Sequence, residues 1–196
     1  MSSLLDSLSV GDPSAFQTSA QRRDELARDL VAAAYLRGSF VLSSGQPSSY
    51  YVDKYLFATK PTVLRRLASL LAERVPDVDR IAGPELGAVP ITAALSLETG
   101  IPFVIVRKVP KAYGTAAGIE GELHAGERVL LVEDVVSTAA QALGAAAVLK
   151  EAGATVSAVL AVVDREQGGA EAVAGAGMPF DALFRLSELP LPGGPA

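Results

Sequence analysis

The 196-residue chain has no cysteine, no tryptophan, a single histidine and only 6% aromatic residues. Without a thiol there can be no disulfide framework, thiolate metal centre or cysteine nucleophile, and His124 alone cannot form a zinc-ligand cluster. A basic excess is missing too. Seventeen Lys and Arg face 22 Asp and Glu, a formal charge of −5, the wrong sign for a protein devoted to nucleic acid or an anionic membrane. No apolar run free of charge and breakers reaches the ~20 residues of a membrane span. The start, Met1 to Gln21, lacks the basic opening and continuous apolar stretch of a signal peptide. These absences lead us to expect a cytoplasmic protein with neither nucleic acid nor membrane as partner. What is present is 49% hydrophobic and rich in alanine, enough for one core with closely packed helices.

Between Ser19 and Gly38, residues Leu26, Leu30, Val31, Ala34 and Tyr35 recur at helical spacing, which predicts a helix closed by Gly38 as C-cap. Phe40-Val41-Leu42 and Tyr50-Tyr51-Val52 flank a hydroxyl-rich run, Ser43 to Ser49, and read as a hairpin-like connection. Pro61 can open a helix whose buried stripe is Val63, Leu64, Leu67, Leu70 and Leu71 and whose stop is Pro76. From Arg80 onward short apolar runs alternate with Ala-rich stretches. The expected strands are Ile81-Ala82, Pro102 to Val106, Val129 to Val132, Ser157 to Val163 and Ala182 to Arg185. The expected helices are Val89 to Thr99, Thr138 to Ala152 and Ala170 to Ala176. This alternation predicts an α/β fold with a mainly parallel, helix-covered sheet. Arg107 to Gly126 interrupts it and reads as a long exposed loop. We expect residues 1–20 to be a poorly ordered extension, 21–189 a single domain and 190–196 a flexible tail.

Open parallel sheets bind ligands beyond the carboxyl ends of their strands. The run Val129 to Val132 leads into Glu133-Asp134, then Ser137-Thr138 and a helix. Adjacent carboxylates can accept from polyol hydroxyls, while hydroxyls and free amides at a helix start can donate to phosphate. The alternative is a solvated acidic pair beside an ordinary N-cap at Ser137 or Thr138.

The run Val129-Leu-Leu-Val-Glu-Asp-Val-Val-Ser-Thr138 resembles the phosphoribosyl diphosphate (PRPP) signature of the type I phosphoribosyltransferases. Three further segments narrow the resemblance to the orotate branch of that family. Phe40 to Asp53 resembles its N-terminal orotate segment, Arg107 to Gly114 with Ile119-Glu120-Gly121 its mobile catalytic loop, and Val163 to Gly169 its second orotate segment. The resemblance spans about residues 25 to 188, in order. It implies a type I phosphoribosyltransferase fold with a small N-terminal hood, and transfer of phosphoribosyl from PRPP to orotate in pyrimidine synthesis. It further implies a homodimer with shared active sites, and Mg²⁺ carried mainly by PRPP with no dedicated protein metal site.

Carried over residue by residue, the resemblance makes Lys111 the catalytic lysine, reaching the neighbouring subunit's site, and puts Asp134 near the charge developing on the ribose ring. PRPP would be held by Arg107, Lys108, Lys111, Tyr113, Glu133, Asp134, Ser137, Thr138, Ala139, Ala140 and Gln141. Its diphosphate would lie on the turn Glu85-Leu86-Gly87-Ala88. Orotate would meet Ser43, Ser44, Gly45, Tyr50, Tyr51 and Arg165, the guanidinium matching a carboxylate's geometry. On residue type alone, Lys108 and Lys111 could be solvated lysines, the turn at 85–88 an ordinary strand-to-helix link, and Arg165 a surface partner of Glu166.

Five positions depart from common family forms. Tyr113 stands where His often precedes the glycine, Ser43 where some relatives carry Lys, and Gly87 likewise. Ala139-Ala140 replaces the usual glycines. If that backbone needs a positive φ, alanine costs ~1–2 kcal/mol and its methyl crowds the 5-phosphate; if it is helical, alanine strengthens the helix. Beside the orotate reading stand a purine-type phosphoribosyltransferase and a PRPP- or nucleotide-binding regulator with little turnover.

Overall fold

Thr18 accepts a hydrogen bond from the Gln21 amide while the Gln21 side chain answers the Thr18 amide, a capping box that opens α1 (Ser19–Ala34). The computed structural model describes residues 17–41, 47–108 and 118–192, and the backbone alone for 48–50 and 52. Gly38 is not the C-cap. The helix gives way at Tyr35, whose backbone is extended and pairs with Val52, so Gly38 lies inside β1 (Tyr35–Val41). There a Cβ would sit 3.0 Å from the Phe40 ring. β1 and β2 (Pro47–Val52) form the antiparallel hairpin expected from the sequence. A short helix that periodicity could not reveal, α2 (Lys54–Ala58), follows, its first turn capped by the Asp53 carboxylate on the Tyr55 amide. Pro61 then opens α3 (Pro61–Ala72), which ends before Pro76.

The remaining elements are β3 (Arg80–Pro84), α4 (Ala88–Thr99), β4 (Phe103–Val106), β5 (Ile119–Glu120), β6 (Arg128–Val136), α5 (Ala140–Glu151), β7 (Thr155–Asp164), α6 (Gly169–Gly175) and β8 (Phe180–Arg185). They build a six-stranded sheet in the order β5-β4-β3-β6-β7-β8. Its strands are parallel except β5, which runs antiparallel to β4. Thus the expected long loop contains a small strand, because Val106 pairs with Ile119 and the Arg107 amide donates to the Gly118 carbonyl at 2.8 Å.

Alternation along the central strands feeds two cores. Ile81, Leu130, Val132, Leu160 and Val162 face α1, α3 and α4, meeting Leu26, Leu30, Leu67 and Ile91. Ala82, Leu131, Val159 and Ala161 face α5 and α6, meeting Ala142, Ala145, Leu149 and Val173. Strands so buried on both faces read as continuous apolar runs. Chain contact continues past the expected boundary at 189: Leu191 is buried in the first core and the Pro192 carbonyl accepts from the Tyr35 hydroxyl. Among the described residues no helix is long and apolar enough to cross a membrane.

From β3 the chain winds through α4 to β4 on one side; from β6 it winds through α5 to β7 on the other. Between β3 and β6 the winding therefore reverses, and a crevice opens at that point beyond the strands' carboxyl ends.

Candidate active site

β6 is longer than the sequence suggested. Glu133 and Asp134 lie inside it rather than after it, because β7 continues the ladder through Val136 and Asp164. β3, by contrast, pairs with β6 only as far as Ala82 and Leu131, then stays with β4. The two carboxylates thus sit where the β3–β6 seam opens, and they are 2% and 1% exposed. A solvated acidic pair is excluded by that burial. Burial, reinforced by the neighbouring Asp134 charge, pushes the Glu133 carboxyl up to about 8. Its Oε1 has no hydrogen-bond partner among the described residues, an unmet acceptor suited to a ligand hydroxyl.

Asp134 shares the face of Leu130 and Val132 and meets Lys54, whose Nζ lies 2.9 Å from Oδ2 and 3.3 Å from Oδ1. Sequence reading missed Lys54. No spacing links residue 54 to residue 134. Burial alone would lower the Lys54 pKa; the Asp134 charge and hydrogen bond outweigh it and hold the ammonium above its ordinary value.

Each side of the pair carries a helix N-terminus. On one side the turn Glu85 to Ala88 enters α4 through Gly87, which makes no side-chain cap. A Cβ on Gly87 would lie 1.6 Å from Asp134 Oδ2, so glycine is what lets this turn approach the acid pair. Leu86 is exposed, Ala88 is buried, and Glu85 accepts from the Lys108 amide at 2.6 Å. On the other side α5 begins at Ala140, two residues later than expected at Thr138, because Ala139 takes a left-handed conformation with φ 61°. Neither Ser137 nor Thr138 caps α5, so the simple N-cap reading does not hold. Ser137 is half-buried; Thr138, Ala140 and Gln141 are exposed. The Ala139 methyl is buried in the second core instead of crowding the loop's open side. Two helix N-termini without side-chain caps therefore flank the two carboxylates, an arrangement able to take anions on either side of a hydroxyl group.

Arg107 and Lys108 follow β4 beside the Glu85 turn, Arg107 lying 3.5 Å from Glu120 and 4.0 Å from Glu85. Lys111 and Tyr113 lie outside the described residues, as do Ser43, Ser44 and Gly45. The backbone of Tyr50 pairs with Arg37, and the exposed Tyr51 ring sits 5.6 Å from Phe40. Arg165 follows β7 at the same end of the sheet, its amide donating to the Val136 carbonyl at 2.8 Å. Its side chain is half-buried and does not pair with Glu166, whose carboxylate accepts from the Ser187 amide and hydroxyl.

The phosphoribosyl transferase domain family matches residues 57–178. Orotate phosphoribosyltransferase of Thermococcus gammatolerans is 49% identical over 164 residues, 82% of this chain and 87% of that protein. The crystal structure of Mycobacterium tuberculosis H37Rv orotate phosphoribosyltransferase in complex with PRPP aligns with a TM-score of 0.75 at 32% identity, covering 87% of this chain and 99% of that one. The crystal structure of orotate phosphoribosyltransferase from Aeropyrum pernix aligns with a TM-score of 0.75 at 32% identity, covering 84% of this chain and 95% of that one. A crevice at the sheet's winding reversal, a buried acidic pair and two open helix starts are thus found in a chain that belongs to the orotate phosphoribosyltransferase family.

Proposed function

We propose that the protein transfers the phosphoribosyl group of PRPP to N1 of orotate, giving orotidine 5′-monophosphate and diphosphate. The observation that carries this reading is the buried Glu133–Asp134 pair set between the amides of α4 and α5. PRPP has the matching order of groups: diphosphate, ribose diol, 5-phosphate. The diol would donate to the carboxylates, the 5-phosphate would take the α5 amides with Ser137 and Thr138, and the diphosphate the Glu85 to Ala88 turn.

In the reaction a C–N bond forms at the anomeric carbon as the C–O bond to diphosphate breaks, and the N1 proton of orotate passes to the departing diphosphate or to water. Positive charge develops on the ribose ring and negative charge on the departing group. Asp134 is assigned to the first; Arg107, Lys108 and Lys111 are assigned to the second, Tyr113 adding a donor. The paired stems at Arg107 and Gly118 lie beside the diphosphate turn, which supports assigning the segment's cations to the departing group. Arg165 and the β1–β2 hairpin, with Ser43, Ser44, Gly45, Tyr50 and Tyr51, are assigned to orotate.

Among the described residues no group of three or more acidic or His side chains could cage a metal. We assign Mg²⁺ to substrate oxygens and water, where it would neutralise charge on the diphosphate. We place the enzyme in the cytoplasm as a homodimer, Lys111 entering the partner's site. A spectrophotometric assay with PRPP, Mg²⁺ and orotate, repeated with adenine, guanine and hypoxanthine, tests the substrate. Loss of orotate absorbance without turnover of any purine is expected; turnover of a purine alone would replace this reading, and binding without turnover would make the protein a sensor.

A further inference from the structure

The Glu85 to Ala88 turn has no cationic side chain of its own, and it lies against a buried acidic pair. A polyanion docking there meets repulsion from the Asp134 carboxylate beside the turn. Lys54 occupies the gap. Its Nζ is 2.9 Å from Asp134 Oδ2, and its Cε is 3.4 Å from the point where a Gly87 Cβ would be, so turn, carboxylate and ammonium converge. The Lys54 side chain is 31% exposed while that of Asp134 is 1% exposed. An ammonium has three N–H donors. One is directed at Asp134, the Tyr55 ring stands 5.7 Å away, and the other donors have no hydrogen-bond partner among the described residues.

We propose that Lys54 is a diphosphate-binding residue, delivered to the α4 turn by the hood rather than by the turn's own sequence. Bound between Asp134 and the incoming diphosphate, it cancels the repulsion and ties hairpin position to PRPP occupancy. Gly87 makes this geometry available, since any side chain there would displace Asp134. The inference rests on the PRPP reading of the site.

Calorimetric titration of wild type, Lys54→Gln and Lys54→Arg, each with Mg²⁺, against PRPP, inorganic diphosphate, ribose 5-phosphate and orotate separates the outcomes. The expected result is at least tenfold weaker PRPP and diphosphate binding in Lys54→Gln, substantial recovery in Lys54→Arg, and orotate binding within twofold of wild type. Lys54→Met, which keeps the apolar stem, replaces the glutamine variant should that one lose its melting transition. Wild-type affinity for PRPP and diphosphate in the neutral variants would overturn the proposal. So would loss confined to ribose 5-phosphate, which would leave Lys54 acting only through Asp134, or equal loss of all four ligands, which would mark a support of the hood. If wild type binds PRPP but does not turn over orotate, the assigned reaction fails while this comparison still decides the role of Lys54.

Discussion

At the scale of single residues, the two alanines after Thr138 separate what the sequence left joined. Ala139 is left-handed and buried, whereas Ala140 is the exposed first residue of α5. Ala139→Gly should therefore leave stability within about 1 kcal/mol of wild type, relief of about 1–2 kcal/mol of strain being offset by loss of a buried methyl worth about 0.8 kcal/mol, and Ala140→Gly should lower it by about 0.5–1 kcal/mol. Because the Ala139 methyl points into the core, PRPP affinity of Ala139→Gly should stay within twofold of wild type. Thermal melts and a PRPP titration check both statements. Glu133 supplies a second residue-scale expectation. With its carboxyl raised to about 8 from an ordinary 4.5, the folded state keeps a proton that the unfolded state has lost between those values. Stability should fall as pH rises through that window, and Glu133→Gln should flatten the trend. Urea melts at about pH 5 and pH 8 would reveal it, and parallel trends in both proteins would dismiss the effect.

Among the elements, α5 is held to the sheet by Ala142, Ala145 and Ala146, methyl-sized contacts that allow a close approach. Its N-terminus is the proposed 5-phosphate site, so the spacing of the whole helix sets where that phosphate sits. Replacing buried Ala146 by Leu should cost about 1–3 kcal/mol and raise the KM for PRPP more than that for orotate; Ala147→Leu on the exposed face should change neither. Steady-state kinetics of the pair give the answer. The elements themselves were largely legible because burial on two faces writes continuous apolar strands such as Val129 to Val132, and Pro61 and the alanine-rich stretches mark helices. Three features were not. α1 stops early because strand pairing at Tyr35 overrides helical periodicity, and α2 is too short to have a period. β6 passes through its carboxylates because a neighbouring strand supports them. The acid pair was visible as a motif, but its contact with Lys54 depends on a hairpin carrying a distant residue across the sheet.

At the scale of the whole molecule, the segment rooted at Arg107 and Gly118 contains Lys111 and is assigned to a partner's site. Mixing Lys111→Ala with Asp134→Asn protein should then restore part of the lost turnover, since some mixed dimers hold one complete site. No recovery after demonstrated subunit exchange would assign the loop to its own subunit. The reversal of winding between β3 and β6 has a consequence for folding. The β3–α4–β4 unit and the β6–α5–β7 unit can each form from neighbouring contacts, but the diphosphate turn belongs to one and the carboxylates to the other. Pairing of Arg80, Ile81 and Ala82 with Val129, Leu130 and Leu131 joins them along the sheet, a distant closure that is slow compared with either unit. A chain arrested with separate halves has no place for PRPP, so the ligand favours the completed sheet over every partly assembled form.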